Sequence, residues 1–232
     1  IPHRQGSQAW DRYAGMNNNP VKYTDPSGHS VVWALGEENC EAGEYVEPLV
    51  PGVSQEQHER LIAIRDEAEI LSALMQSGEI SDLEALALLM DFAAPMYGDD
   101  GVNFLTDLGI VVGGLNGTTI IGQGDPMNQY YVSYAAFDPE TTGFAHELNP
   151  NDENQVRHFL AGAAGYNTAG VFGGIGMYAD EVRDIYGIFG GSGGSVADLR
   201  LYARSFEFAH SFRGGIAPLS GAGDWVLNNL GP

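Results

Sequence analysis

Residues 54–93 read SQEQHERLIAIRDEAEILSALMQSGEISDLEALALLMDFA and carry two helix starts of the same type. Ser54 is followed three positions later by Gln57, and Ser81 is followed at the same spacing by Glu84. A serine with Gln or Glu at this spacing forms a capping box, which satisfies free backbone N–H groups in the first turn of a helix. Apolar residues then recur at helical spacing: Leu61, Ile64, Ala68, Leu71, Leu74 and Met75, then Leu86, Leu89, Met90 and Ala93. The stretch therefore predicts a helical hairpin.

The last third of the chain carries three further helix signals. An Asn-Pro-Asn-Asp sequence predicts the start of a helix over 152–165, and a second helix is expected around 178–186. Ser195 and Asp198 form another capping pair, and the helix that they begin is expected to run to Phe212. Together with the hairpin, these segments predict a mainly α fold.

One small β-hairpin is predicted within this helical domain, which spans residues 54–232. Residues 118–121 and 130–137 are rich in β-branched and aromatic side chains, and the glycine-containing residues 122–126 lie between them. We therefore expect these two runs to pair as strands.

The charge of the chain is strongly unbalanced. Its 232 residues include 31 acidic and 10 basic side chains, which gives a formal net charge of −21. A field of this sign repels polyanions, so nucleic acid is not an expected partner. Cys40 is the only cysteine, which excludes an internal disulfide and a metal site built from several thiolates.

A second informative stretch lies near the N-terminus, where Trp10 to His29 read WDRYAGMNNNPVKYTDPSGH. Pro20 disfavours a helical conformation of the residue before it, and Val21 to Thr24 alternate as a short strand. Asp25 to Gly28 have the composition of a β-turn with proline at its second position. The whole stretch resembles the last segment of the RHS-repeat-associated core of RHS/YD-repeat proteins.

The resemblance covers 20 of the 232 residues and implies a domain organisation. Residues 1–29 would be a β remnant of the RHS core, residues 30–53 an acidic linker, and the helical domain the variable cargo of a secreted or surface-exposed protein. In that family the cargo is often a toxin released by autoproteolysis near this point, and Asp25 matches the junction aspartate. The implied partners are the RHS core of the parent chain and, for a toxin, an immunity protein. The chain departs from the family at Asp11, where Asn is usual.

The densest set of catalytic residue types lies in the last third of the chain. His158 is expected beside the apolar stripe of its helix, where a histidine is either half-buried and oriented by a carboxylate for a functional role or hydrogen-bonded as part of the structure. Glu147, Asp152, Glu181 and Asp184 could supply one protonated and one ionised carboxyl group, which is the arrangement that cleaves a glycosidic bond. These five residues are the candidate catalytic set of a hydrolase acting on a glycan or cell-wall polymer.

The sequence assigns no cofactor, no nucleophile and no metal. His146 and Glu147 lack the second histidine of a zinc-protease helix, and no EF-hand loop occurs. A metal site that combines His146, His158 and a carboxylate from residues 177–188 could arise only through folding.

Two uncharged runs keep other functions open. Residues 108–124 and 159–179 carry no charged side chain, and the second run is dense in glycine and alanine. Such runs either insert into a membrane or let helices pack closely, and close packing is the favoured interpretation. A membrane-active effector and a non-enzymatic adhesive or structural module therefore stand beside the hydrolase as alternatives.

Overall fold

The computed structural model describes residues 49–133, 137, 142–149, 154–185 and 195–232, with the backbone alone at 177, 178 and 180–185. Of these residues 71% are helical, which confirms the mainly α class. They belong to a compact unit that spans Pro48–Pro232. The predicted β remnant at 1–29, its junction residue Asp25 and most of the linker lie outside the described residues.

Seven α-helices occur in the described part of the chain: α1 (Gln55–Gln76), α2 (Asp82–Ala93), α3 (Gly101–Val111), α4 (Pro126–Tyr130), α5 (Gln155–Ile185), α6 (Val196–Arg213) and α7 (Ala222–Leu230). The predicted starts of α1, α2 and α6 are confirmed. Ser54 Oγ accepts a hydrogen bond from the Gln57 amide at 3.2 Å, and Ser81 and Ser195 each form a complete capping box. Gly78, with a φ of +73°, follows the end of α1.

Helix α3 is the central element, although no sequence pattern predicted it. It contacts α1, α5 and α6, while α2 packs against α1 and α7. Most of its side chains are buried, so it lacks the polar face that makes a helix visible in a sequence. Asp100 accepts a hydrogen bond from the Asn103 amide at 3.0 Å and thereby caps its first turn.

The prediction of one small β-hairpin is confirmed, but the predicted pairing of 118–121 with 130–137 is wrong. The strands are instead β1 (Leu115–Asn116) and β2 (Thr119–Ile120), which pair antiparallel with Leu115 opposite Ile120. The described residues of the expected partner begin with Tyr130, which ends α4. Asp125 and Pro126 cause this difference, because the Asp125 side chain accepts from the Met127 amide and proline fits the first position of a helix.

Helices α5 and α6 pack closely through small residues. A β-carbon at Gly162 would overlap Ser205 Oγ and the Tyr202 ring, and one at Gly109 of α3 would overlap Ala164. Gly170, with φ 58° and ψ −140°, breaks the helical geometry inside α5. No helix in the described residues is long and apolar enough to cross a membrane.

Alanine at Gly101 is expected to destabilise the fold by about 1–3 kcal/mol. Its β-carbon would overlap the backbone carbonyl of Phe212, which is part of α6 and cannot rotate away. Gly176→Ala is the matched control, since nothing lies within 4 Å of the added carbon. In the control, alanine should instead stabilise the helix by up to about 1 kcal/mol. Urea unfolding of both variants measures the difference, and equal midpoints would contradict close packing at Gly101.

Candidate functional site

The candidate site is built around His158, on the part of α5 that faces α6. The His158 side chain is 30% exposed, but its Nδ1 atom is buried and makes no hydrogen bond with any residue that the structure describes. This nitrogen lies 3.6 Å from Oδ1 of Asp198, whose side chain is completely buried. The separation is slightly longer than a hydrogen bond, and catalytic contacts often shorten only when substrate binds.

The capping box of α6 fixes the position of the Asp198 carboxylate. Its Oδ2 accepts hydrogen bonds from the Ser195 amide at 3.1 Å and from Ser195 Oγ at 2.7 Å. Its Oδ1 faces His158 and accepts a longer bond, 3.4 Å, from Gln155 Nε2. One oxygen therefore caps the helix, while the other is directed at the imidazole.

An imidazole next to a buried carboxylate is an arrangement that can support proton transfer. A carboxylate beside Nδ1 favours the tautomer that carries its proton there, and this leaves Nε2 as the atom that can accept a proton. The ring is held from one side by Tyr202, with ring centroids 6.0 Å apart and planes 22° apart. His158 and Asp198 thus have the geometry of a general base and the residue that orients it.

The other candidate residues differ in their relation to this pair. Glu147 is exposed and belongs to a short 3₁₀ helix, His146–Leu148, that packs against α6. Its backbone carbonyl accepts a long hydrogen bond, 3.4 Å, from the Arg200 side chain, two positions after Asp198. Glu147 is therefore located near the start of α6.

The remaining predicted carboxylates are not brought together by any described contact. Asp152 lies outside the described residues. Glu181 and Asp184 lie in α5 beyond Gly170, where the structure describes the backbone alone. In the described part of the chain, no three His, Cys, Asp or Glu side chains are grouped to hold a metal ion.

A second polar cluster was missed by the sequence analysis. Asp107 of α3 is completely buried and accepts hydrogen bonds from Gln57 Nε2 at 2.8 Å, Arg60 Nε at 3.1 Å and the Tyr97 hydroxyl at 2.8 Å. The Arg60 guanidinium also lies over the Tyr97 ring, 5.0 Å from its centroid. Beside it is a cleft of about 250 Å³ lined by Ser54, Glu56, Gln57, Arg60, Met96, Tyr97, Asp100 and Asn103. Because Asp107 has three donors, the cluster acts mainly as a connection between α1 and α3.

We expect the Tyr97 hydroxyl in this cluster to lower the free energy of unfolding at alkaline pH. Burial, and then the neighbouring Asp107 carboxylate, raise the pKa of the Tyr97 hydroxyl above its ordinary value of 10.0. Below pH 10 the Tyr97 hydroxyl keeps its proton in both the folded and the unfolded state. Above pH 10 the hydroxyl releases its proton only in the unfolded state. Stability should therefore fall by up to about 1.4 kcal/mol per pH unit above this value.

The measurement is urea unfolding from about pH 9 to about pH 11, with Tyr97→Phe as the comparison. The phenylalanine variant is less stable at neutral pH, because Asp107 loses one donor, but it lacks this titration. Its stability should fall less steeply with pH than that of the original chain. Identical slopes in the two proteins would show that Tyr97 does not ionise on unfolding in this range.

A comparison of the chain with known proteins finds no matching family model, no matching curated protein and no matching solved structure.

Proposed function

We propose that the helical unit is the effector domain of a secreted or surface-exposed RHS-repeat protein, and that it hydrolyses a glycan or cell-wall polymer. The RHS part of the proposal is supported by the resemblance of Trp10 to His29. The hydrolase part is supported by one observation, the half-buried His158 with its Nδ1 beside the buried Asp198 carboxylate. Its partners would be the RHS core of the parent chain and an immunity protein.

In this proposal His158 and a carboxylic acid divide the proton transfers. His158 Nε2 accepts a proton from a water molecule while the water oxygen forms a bond to the anomeric carbon. The glycosidic C–O bond breaks, and a carboxylic acid gives its proton to the leaving oxygen. Glu147 is the candidate for that acid whose side chain the structure describes, and its segment packs against α6. Asp152, Glu181 and Asp184 are the further candidates.

The test is hydrolysis by the purified full chain. The protein is incubated with bacterial sacculi and with soluble chitin oligosaccharides, and new reducing ends are measured against a His158→Asn preparation. We expect reducing ends from the original chain and a large decrease with the variant. Equal release by both proteins would assign the activity to another site or to a contaminant, and no release from either substrate class would reject the glycan hydrolase.

A membrane-active effector is the second candidate, on the basis of one exposed apolar patch. Val171, Phe172 and Ile175 of α5 are 62%, 85% and 58% exposed, and they lie within the uncharged run 159–179. Exposed large side chains grouped in this way commonly mark an interaction surface. Dye release from lipid vesicles without any hydrolysis would favour this candidate, and the absence of both activities would favour an adhesive or structural module.

A further inference from the structure

Four rings form a continuous row that starts next to His158. On α6, Tyr202 stacks against Phe206 with centroids 6.4 Å apart and planes 22° apart. Phe206 stacks against Tyr166 of α5 at 5.8 Å and 26°, and Tyr166 meets His210 edge to face at 6.4 Å. We call Tyr202, Phe206, Tyr166 and His210 the aromatic row.

The aromatic row becomes more exposed with distance from His158. Tyr202 is buried, Phe206 and Tyr166 are half-buried, and His210 is exposed. Phe206 lies outside the main hydrophobic core, and its ring lies close to Gly174, where an added β-carbon would be 3.2 Å from it. A half-buried phenylalanine gains less from burial than a core phenylalanine, and its exposed ring surface is available to a ligand.

The aromatic row is continuous with the candidate catalytic pair. Tyr202 stacks on the His158 ring, and the α6 members follow at intervals of four residues on one face of the helix. Each interval advances about 6 Å along the helix axis, so the row leads away from His158 for about 12 Å. The exposed part of the row on α6 therefore begins at Phe206, about one helical turn from the buried Tyr202 that stacks on His158.

Charge limits the kind of polymer that can lie there. Near the row, Arg204 is paired with Glu207 at 2.8 Å, and Arg200 is directed to the Glu147 carbonyl. The charge of Arg204 is therefore neutralised by Glu207, while the whole chain carries −21. A polyphosphate is repelled by the net charge, while an uncharged polymer is not.

We propose that the aromatic row binds an uncharged sugar polymer, with the apolar faces of the sugar rings against the exposed parts of Phe206 and Tyr166 and the sugar hydroxyls hydrogen-bonded near His210. This proposal rests on the proposed glycan hydrolase and names where its substrate lies. Stacking on aromatic rings requires only a flat apolar face, so it suits a repeating polymer better than a single small ligand.

The experiment measures binding separately from hydrolysis. Calorimetric titration of the full chain with a soluble chitin oligosaccharide is done in the His158→Asn background, so that the sugar is not consumed. Phe206→Leu keeps an apolar side chain but removes the ring, and it should weaken the affinity by about tenfold. Phe172→Leu is the matched control, since Phe172 is 85% exposed on α5 and no described ring contact joins it to the row. The control should leave the affinity unchanged.

A second variant tests whether weaker binding in Phe206→Leu comes from loss of the ring and not from a folding defect. His210→Ala removes an exposed row member and should weaken binding by about threefold, with circular dichroism confirming that both variants are folded. No binding by the His158→Asn protein, or equal affinity in the Phe206→Leu and Phe172→Leu proteins, would overturn the aromatic row as a sugar site.

The outcomes separate the two proposals. Row-dependent binding without any hydrolysis by the original chain would retain the sugar site and reject the hydrolase. Hydrolysis that depends on His158 but not on Phe206 would retain the hydrolase and reject the row. Binding of a single-stranded oligonucleotide in place of the sugar, lost in Phe206→Leu, would show that the row stacks bases and would also overturn this proposal.

Discussion

Replacement of Asp107 by alanine is expected to lower the free energy of unfolding by about 3–5 kcal/mol. Asp107 is completely buried and is the common acceptor for Gln57, Arg60 and Tyr97. Alanine would leave three donors without their acceptor, and the Arg60 guanidinium, whose side chain is only 14% exposed, would keep only its ion pair with the exposed Glu56. Unpaired buried charges and donors are among the most destabilising changes known in proteins.

Urea unfolding of Asp107→Ala, followed by circular dichroism, measures this loss. Asp66→Ala is the matched control, because Asp66 also pairs with an arginine, at 2.9 Å, but its side chain is 54% exposed. The control should change stability by less than about 1 kcal/mol, as surface ion pairs do. Gln57→Ala removes a single neutral donor and should cost about 1 kcal/mol. If Asp107→Ala lowered the free energy of unfolding no more than Asp66→Ala does, the cluster would not connect α1 to α3 in solution.

Helices that carry their own start signals could be predicted from the sequence. The capping serines Ser54, Ser81 and Ser195 marked α1, α2 and α6 because a capping box acts within four consecutive residues. Such a signal does not depend on the rest of the fold. The apolar periodicity that follows it in α1 and α2 then identifies the buried side.

Helices that depend on tertiary contacts could not be predicted in the same way. Helix α3 is buried on most sides, so its sequence has no alternation between apolar and polar faces. Helix α4 begins at an Asp125-Pro126 step, which suits both a turn and a helix start. The strand pairing was wrong for a related reason, since Thr119 and Ile120 pair with the residues just before a turn at Gly117.

The difference between local sequence signals and tertiary contacts also applies to the candidate site. His158 stood out because its position beside an apolar stripe predicts partial burial. Asp198 was identified only as the closing residue of a capping box, and its contact with His158 joins two helices across 40 positions of sequence. One signal for Asp107 was available, however. An acidic residue within the apolar sequence Phe104 to Val112 requires a buried partner, and that requirement predicts a polar cluster.

Under the proposed function, His158→Asn is expected to lower kcat on the glycan substrate by about 10²–10⁴-fold. Asparagine keeps a polar side chain of similar reach but cannot accept and release the proton of the attacking water. Asp198→Asn should lower kcat by at least about tenfold, because a neutral amide orients the imidazole less well, while its oxygen can still cap α6. KM should stay nearly constant in both variants, since neither side chain belongs to the aromatic row.

His146→Asn is the matched control for this series, because His146 is exposed on the 3₁₀ helix next to Glu147 and has no described contact with Asp198. Its kcat should equal that of the original chain. Initial rates of reducing-end release over a range of substrate concentrations separate kcat from KM for all three variants. A similar loss of kcat in His146→Asn and His158→Asn would point to a general disturbance of this surface. A decrease confined to His158 and Asp198, with a double variant no slower than His158→Asn alone, would show that the buried carboxylate and the half-buried imidazole act as a pair.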